Sequence, residues 1–362
     1  MSIVLTSPIA RSVFIGGVLF GLGVPAGKAS AEERTLRPSE APLWRAVPQD
    51  VAPAGDADAS APLTLPPSET TQKLVLVGAE IDAEAEEPRV SQLEKGSSSR
   101  RHRQAAVDDL PQQNLTPQQR QVVVDVLDST SVFRRLPAFR CELDPRVHDY
   151  FIRYPDVAVS IWRAMAISCL EMTQTNPRQY EIDTRDGTTG VVTVLHQTRE
   201  SCLVHCEGLF KSPYLKDAIH AKSLMHLKTK FTADRDGRIY ATHQADLFVS
   251  FPSQKVGTIA KLISPVSNAI IDRNFQEISL FIHVMWLAMT KQPGWVEQIA
   301  GRLEGVPPGR SEELITLTAE VYVTAQTNLR KRTGLPVSLE TIRPPSGNPL
   351  RSAGTAPIDV TR

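Results

Sequence analysis

PVSNAIIDRNFQEISLFIHVMWLAMTK, residues 265–291, decides the reading of this chain. Ile271, Phe275, Ile278, Phe281, Ile282, Met285 and Met289 recur at i, i+3, i+4 and i+7, which puts a broad apolar stripe on one face of a helix. Proline at 265 starts the segment and proline at 293 ends it, so the spacing predicts one helix from Pro265 to Lys291, about 40 Å long at 1.5 Å per residue. A stripe of that length needs an apolar surface of equal span beneath it. Glu277 and Asp272 fall on the polar side of the stripe and are expected to face solvent.

The surface lies immediately upstream. IYATHQADLFVSF, residues 239–251, places Ile239, Ala241, His243, Ala245, Leu247, Val249 and Phe251 on one face, with Tyr240, Thr242, Gln244, Asp246 and Ser250 on the other. That is the period of two of a strand. Further upstream, Met225, Leu227 and Phe231 alternate with His226, Lys228 and Lys230, and Cys202–Glu207, Val191–His196 and Tyr180–Asp183 read as three more strands. Asp186-Gly187, the stretch Thr198 to Ser201 and Asp236-Gly237 supply turns, and a short irregular or helical piece spans Tyr214 to His220. Strands that are apolar on one face only predict an antiparallel meander with one wet side.

Helices flank this unit. Thr116-Pro117-Gln118-Gln119 sets a hydroxyl at the N-cap, proline at the first helical position and glutamine at the third, and predicts a helix to Asp128. Asp144-Pro145 opens a second helix with Val147, Tyr150 and Phe151 on one side, and Pro155-Asp156 a third with Val157, Ile161 and Met165. After the long helix come a short one from Gly294 to Leu303 and a last one from an N-cap at Ser311, acidic at Glu312-Glu313, basic at Arg330-Lys331-Arg332 and closed by Gly334. The expected fold class is therefore α+β: an antiparallel sheet of five or six strands packed on one face by a long C-terminal helix, with extra helices at both ends.

The termini read differently. Arg11, the apolar run Val13–Val24, Ala29-Ser30-Ala31 and the acidic pair Glu32-Glu33 describe a signal peptide cleaved after Ala31. The apolar run is about 12 residues against the ~20 of a spanning helix, so the mature chain is expected to be exported, periplasmic or extracellular, and not transmembrane. Residues 32–115 are rich in Pro, Ala, Ser, Asp and Glu and predict a disordered linker, carrying a β-prone run at Lys73–Val77, an acidic block at Glu80–Glu87 and a basic run at Ser97–Arg103. The single domain is expected at 116–334 and a disordered tail at 335–362. Forty basic and forty acidic residues cancel, so no overall field directs the chain to nucleic acid.

Chemistry-bearing residues are few. Cys141, Cys169, Cys202 and Cys206 are the four cysteines, and an exported chain invites disulfides. Cys202 and Cys206 lie on one face of one strand, ~13 Å apart at 3.3 Å per residue, too far to pair with each other. A bridge would run from that strand to Cys141 or Cys169 on the helical layer; four buried thiols are the other reading. His196, His205 and His243 together with Cys202 and Cys206 are of metal-ligand type, but their spacing matches no zinc signature, and no metal is expected. His243, on the apolar face of the longest strand, is either a core histidine satisfied by a hydrogen bond or a polar contact at the bottom of a ligand cavity, and His283 carries the same two readings. No G-x-S-x-G, P-loop, G-x-G-x-x-G or H-E-x-x-H stands in the chain, and no cofactor is implied.

The element order, from Phe133 to Lys291, resembles the helix-grip domain of the START-like (SRPBCC) superfamily. Arg140–Leu143 would be its first strand, Val147–Met165 its helical pair and Pro265–Lys291 its gripping helix. Five strands follow the helical pair here where the family has six, and the helices beyond Pro293 are additions. The resemblance implies a cavity for lipids or other apolar small molecules between sheet and long helix, with Tyr180, Phe231, His243, Leu247, Phe281 and Met285 near it. Three functions follow: a non-enzymatic carrier or sensor of an apolar molecule, a structural or protein-interaction module of the cell envelope with a filled core, and, third, an enzyme.

Overall fold

The computed structural model describes residues 90–185, 187–211, 218–251, 265–338 and 342. The leader, the linker up to residue 89, Asp186 of the expected hairpin turn, residues 212–217 and the tail from 343 lie outside the described residues.

Seven α-helices and nine strands are formed among the described residues, in the order β1 (Ser91–Glu94), α1 (Arg100–Asp108), α2 (Pro117–Asp128), β2 (Thr130–Arg135), β3 (Ala138–Glu142), α3 (Pro145–Arg153), α4 (Pro155–Ala164), β4 (Glu171–Asn176), β5 (Gln179–Asp183), β6 (Thr188–Gln197), β7 (Ser201–Phe210), β8 (Ile219–Ala233), β9 (Ile239–Ser250), α5 (Pro265–Lys291), α6 (Pro293–Ala300) and α7 (Arg310–Thr333). The strands make one antiparallel sheet in the order β1-β3-β9-β8-β7-β6-β5-β4, with β2 also paired to β9. This is nine strands rather than the five or six expected. β2 and β3 pair successive stretches of β9, Phe133 opposite Phe248 and Cys141 opposite Ala241. Leu136-Pro137 lies between them; proline has no N–H to give to a ladder, and β2 and β3 are separate strands across it.

Local chemistry sets the helix ends. Thr116 accepts from the backbone N–H of Gln119 while the Gln119 side chain accepts from the N–H of Thr116, a complete capping box. Asp144 caps α3 through the N–H of Arg146 at 2.8 Å. α7 begins one residue before the expected cap: Gly309 is its N-cap, and Ser311 instead donates its hydroxyl to the Ala300 carbonyl at 2.9 Å. Its end is as read, with Gly334 at φ 68° and the Leu335 N–H returning to the Arg330 carbonyl.

The face of the sheet expected to be wet is covered in part, over β7, β8 and β9, while Thr173, Glu181, Thr189 and Glu207 stay exposed on it towards β4. On one face α3, α4 and α5 close over a core that includes Tyr150, Phe151, Trp162, Phe281 and Met285, and α6 and α7 pack against α5. On the other face Leu203, Leu224 and Phe248, which alternate with residues pointing to the first face, are buried by Val123 and Val126 of α2 and Ala106 of α1. Residues 91–114, which the composition assigned to the linker, therefore hold a strand and a helix of the folded unit, with β1 paired to β3. The basic run at Ser97–Arg103 is no solvated linker either: Ser99 caps α1.

A buried ion network ties this second face together. Asp246, fully buried, takes two hydrogen bonds from Arg135 at 2.7 and 3.0 Å and a third from Lys228 at 2.9 Å, and Lys228 reaches on to Asp109 at the end of α1 at 2.6 Å. Asp246 was placed on the wet face by its alternation; the alternation is right, but that face is not wet here. The expectation for α5 fails in the same way. Asp272 bonds to Arg134 of β2, and Glu277 is buried. No helix among the described residues is long and apolar enough to cross a membrane.

Candidate ligand cavity

Strand alternation and the α5 stripe meet at an apolar cavity of about 160 Å³. Its floor is three adjacent strands in register: Val194 of β6 opposite Val204 of β7, Val204 opposite Met225 of β8, and Cys202 opposite Leu227. Its roof is Ile278, Phe281 and Ile282, an i, i+3, i+4 set on α5. The turn from α3 into α4 closes one side with Phe151, Ile152, Pro155, Ala158 and Trp162, and Met172 of β4 closes another. Phe281 holds the roof in place by edge-on contacts with Phe151 and Trp162, at 5.4 and 5.2 Å between ring centroids. The lining carries no charge. Its one sulfhydryl, Cys202, is pushed up to about 12 by burial and stays a thiol. The volume is below the ~300–1,000 Å³ of drug-sized pockets and close to the ~150 Å³ apolar void that admits a benzene.

Of the six residues expected near a cavity, Phe281 lines it. Tyr180 is the register partner of Val192, a lining residue, but it points its hydroxyl to the Arg153 carbonyl at 3.1 Å. Leu247 is opposite Met225 and belongs to a neighbouring cluster with Leu136 and Phe139. Met285 sits one turn beyond Phe281 in the filled core, and Phe231 packs edge-on against His148 at 5.4 Å. His243 is buried outside the lining. Among the lining residues not expected there, Val204, Met225 and Leu227 share a strand face with Cys202 or Phe231, so alternation carried their signal, while those from α3, α4, β4 and β6 had none.

His243 belongs to a polar core group instead. Thr229 Oγ1 lies 3.0 Å from Nε2 of His148 and 3.2 Å from Nδ1 of His243, and the two imidazoles stack at 5.3 Å. A hydroxyl has one proton, so it donates to one ring and accepts from the other, which fixes complementary tautomers. Asp149 Oδ1 stands 3.5 Å from His148 Nδ1, giving the order carboxylate, imidazole, hydroxyl. Thr229 is buried and outside the cavity lining, so no substrate atom reaches it along that route. His283 is satisfied through Nδ1 by the Glu142 carbonyl at 2.8 Å.

Burial, reinforced by His148, pushes His243 down to about 3, and burial with Lys228 nearby pushes His226 down to about 4. Both folded values lie below the ordinary 6.5, so between these limits the unfolded chain takes up protons that the fold refuses. Stability is thus expected to be complete above pH 6.5 and to fall progressively as pH drops toward 4 and then 3. His243→Leu should cost ~1–3 kcal/mol at neutral pH by leaving Thr229 a partner short, and should flatten this acid limb. Chemical denaturation across pH 7 to 4 measures both; an unchanged slope in the variant would remove His243 from the account.

The four cysteines are free thiols, Cys169 exposed and the others buried, which corrects the expected bridge. Cys141 is on β3, in the sheet rather than the helical layer, and β9 and β8 stand between it and β7. Three strand spacings of ~4.8 Å separate them by about 14 Å, beyond disulfide reach. Cys169 leads into β4, three strands from β7 on the other side. Among the described residues no group of three or more His, Cys, Asp or Glu is placed to hold a metal ion.

No family model and no curated protein matches the chain. Among solved structures it is similar to one described as "Crystal structure of Ara h 8.0201", at 9% identity and a TM-score of 0.22, the match covering 39% of this chain and 97% of that one. A likeness that slight does not define the fold.

Proposed function

We propose that this protein is a non-enzymatic carrier or sensor that holds an apolar small molecule or the chain of a lipid between its sheet and α5, in the manner of helix-grip proteins, and that it works after export, in a periplasmic or extracellular space. The observation that carries the reading is the cavity itself. Its lining is almost wholly apolar and reached by water, so a ligand that fills it takes apolar surface out of water at ~25 cal/mol per Å². The strand order β3-β9-β8-β7-β6-β5-β4, with α3 and α4 between β3 and β4 and the long helix after β9, supports the helix-grip comparison. The alternative, an envelope interaction module whose core needs no ligand, differs in one measurable respect: it gains nothing from an added apolar molecule.

Ala158→Phe tests the proposal, because Ala158 lines the cavity and the added ring would occupy it. Added 1-octanol should raise the melting temperature of the wild type, by ~2.7 kcal/mol of stabilisation at a hundredfold excess over Kd, and leave that of the variant where it was. The milder Ala158→Leu should lie between them if the phenyl ring overpacks the site. A wild-type protein indifferent to octanol would overturn the reading.

A further inference from the structure

Two surface grooves share lining residues with the cavity. Ile152, one of its walls, also lines a surface groove of about 490 Å³ that holds Arg153, Arg178 and Arg199. Val194, on its floor, also lines an adjoining groove of about 540 Å³ with Arg153, Arg178 and Arg310. Four arginines from α3, the β4–β5 turn, the β6–β7 turn and the start of α7 thus converge beside one apolar void. Two of them are neutralised: Arg199 by Asp149 at 2.8 Å, and Arg310 by Glu313 at 2.9 Å while its guanidinium lies over the Tyr154 ring at 3.5 Å. Arg153 and Arg178 have no ion-pair partner among the described residues. Their backbones are nevertheless fixed, since the Arg153 carbonyl accepts from the Tyr180 hydroxyl and the Arg178 carbonyl from the Val194 N–H at 2.8 Å.

We infer that the ligand is an anionic amphiphile, its acyl chain in the cavity and its carboxylate or phosphate head in the groove on Arg153 and Arg178. The inference rests on the reading of the cavity as a ligand site and adds the charge and orientation of what enters. Two guanidinium forks without an ion-pair partner among the described residues match the paired oxygens of a carboxylate or a phosphate, and each such bond is charge-assisted. A neutral apolar molecule would fill the cavity and leave both cations unused.

Calorimetric titration of the full chain with octanoate, octyl phosphate and 1-octanol, which share a chain and differ in the head, tests it. At low salt at least one of the two anions should bind about tenfold more tightly than the alcohol, and the one preferred tells a carboxylate head from a phosphate. Raising the salt should shrink the preference, because the groove is exposed. In the double variant R153Q/R178Q the preference should vanish while octanol affinity stays. Equal binding of all three probes would overturn the anionic head and leave the carrier reading standing. A preference that survives in the double variant would overturn the assignment to these arginines. Binding of none would overturn the carrier reading and this inference with it.

Discussion

Phe281→Asp should leave the protein without a cooperative unfolding transition. Phe281 is 1% exposed, roofs the cavity and joins α5 to α3 and α4 through Phe151 and Trp162. Removing the ring alone costs ~3–5 kcal/mol. The carboxylate then meets no partner in an apolar lining and adds several kcal/mol more, or forces protonation of the group. Together these approach the ~5–15 kcal/mol that holds a domain folded. Phe281→Leu, which keeps most of the volume, should melt within a few degrees of the wild type. A melting curve for the aspartate variant that overlays the wild type would mean that this face of α5 does not point into the core.

The second large effect is expected on the opposite face. Asp246→Ala leaves Arg135, its side chain largely covered, and Lys228 without their shared carboxylate, and breaking such a buried pair costs ~3–5 kcal/mol. Lys228→Met should cost less, since Asp246 keeps both bonds from Arg135. Denaturant midpoints of the two variants order the effects, and equal losses would show that the network is not centred on Asp246. Because α1 meets the sheet through Lys228 and Asp109, the alanine variant should also raise hydrogen exchange in α1 before the strands.

What the chain reveals by itself depends on how local the information is. Pro265, Pro293, the capping box at Thr116 and the glycine at 334 act within a few residues of the boundary they mark, and those boundaries were legible. β4 was not: its six residues, EMTQTN, bury Met172 alone and so carry no alternation. β2 was hidden by Arg134 and Arg135, which read as surface residues until Asp272 and Asp246 arrive from 138 and 111 residues away. The cover over part of the wet side was missed for the same reason, because α1 comes from a stretch whose composition suggests a linker, although α2 was legible from its capping box. For the cavity, a period of two identifies the face of a strand but not the place along it where side chains stop short of one another. Leu247 and His243 were put on the correct face, yet the void lies across β6, β7 and β8, beside valines, a cysteine and a methionine that no motif marks.

The central claim is that the space under α5 holds a molecule. Organic-solvent extraction of the folded protein, purified without detergent and analysed by mass spectrometry, addresses it most directly. The account predicts close to one equivalent per chain of a molecule with an apolar chain, absent from Ala158→Phe prepared in the same way. Recovery of no such molecule from the wild type, together with no uptake of added octanol, would contradict it.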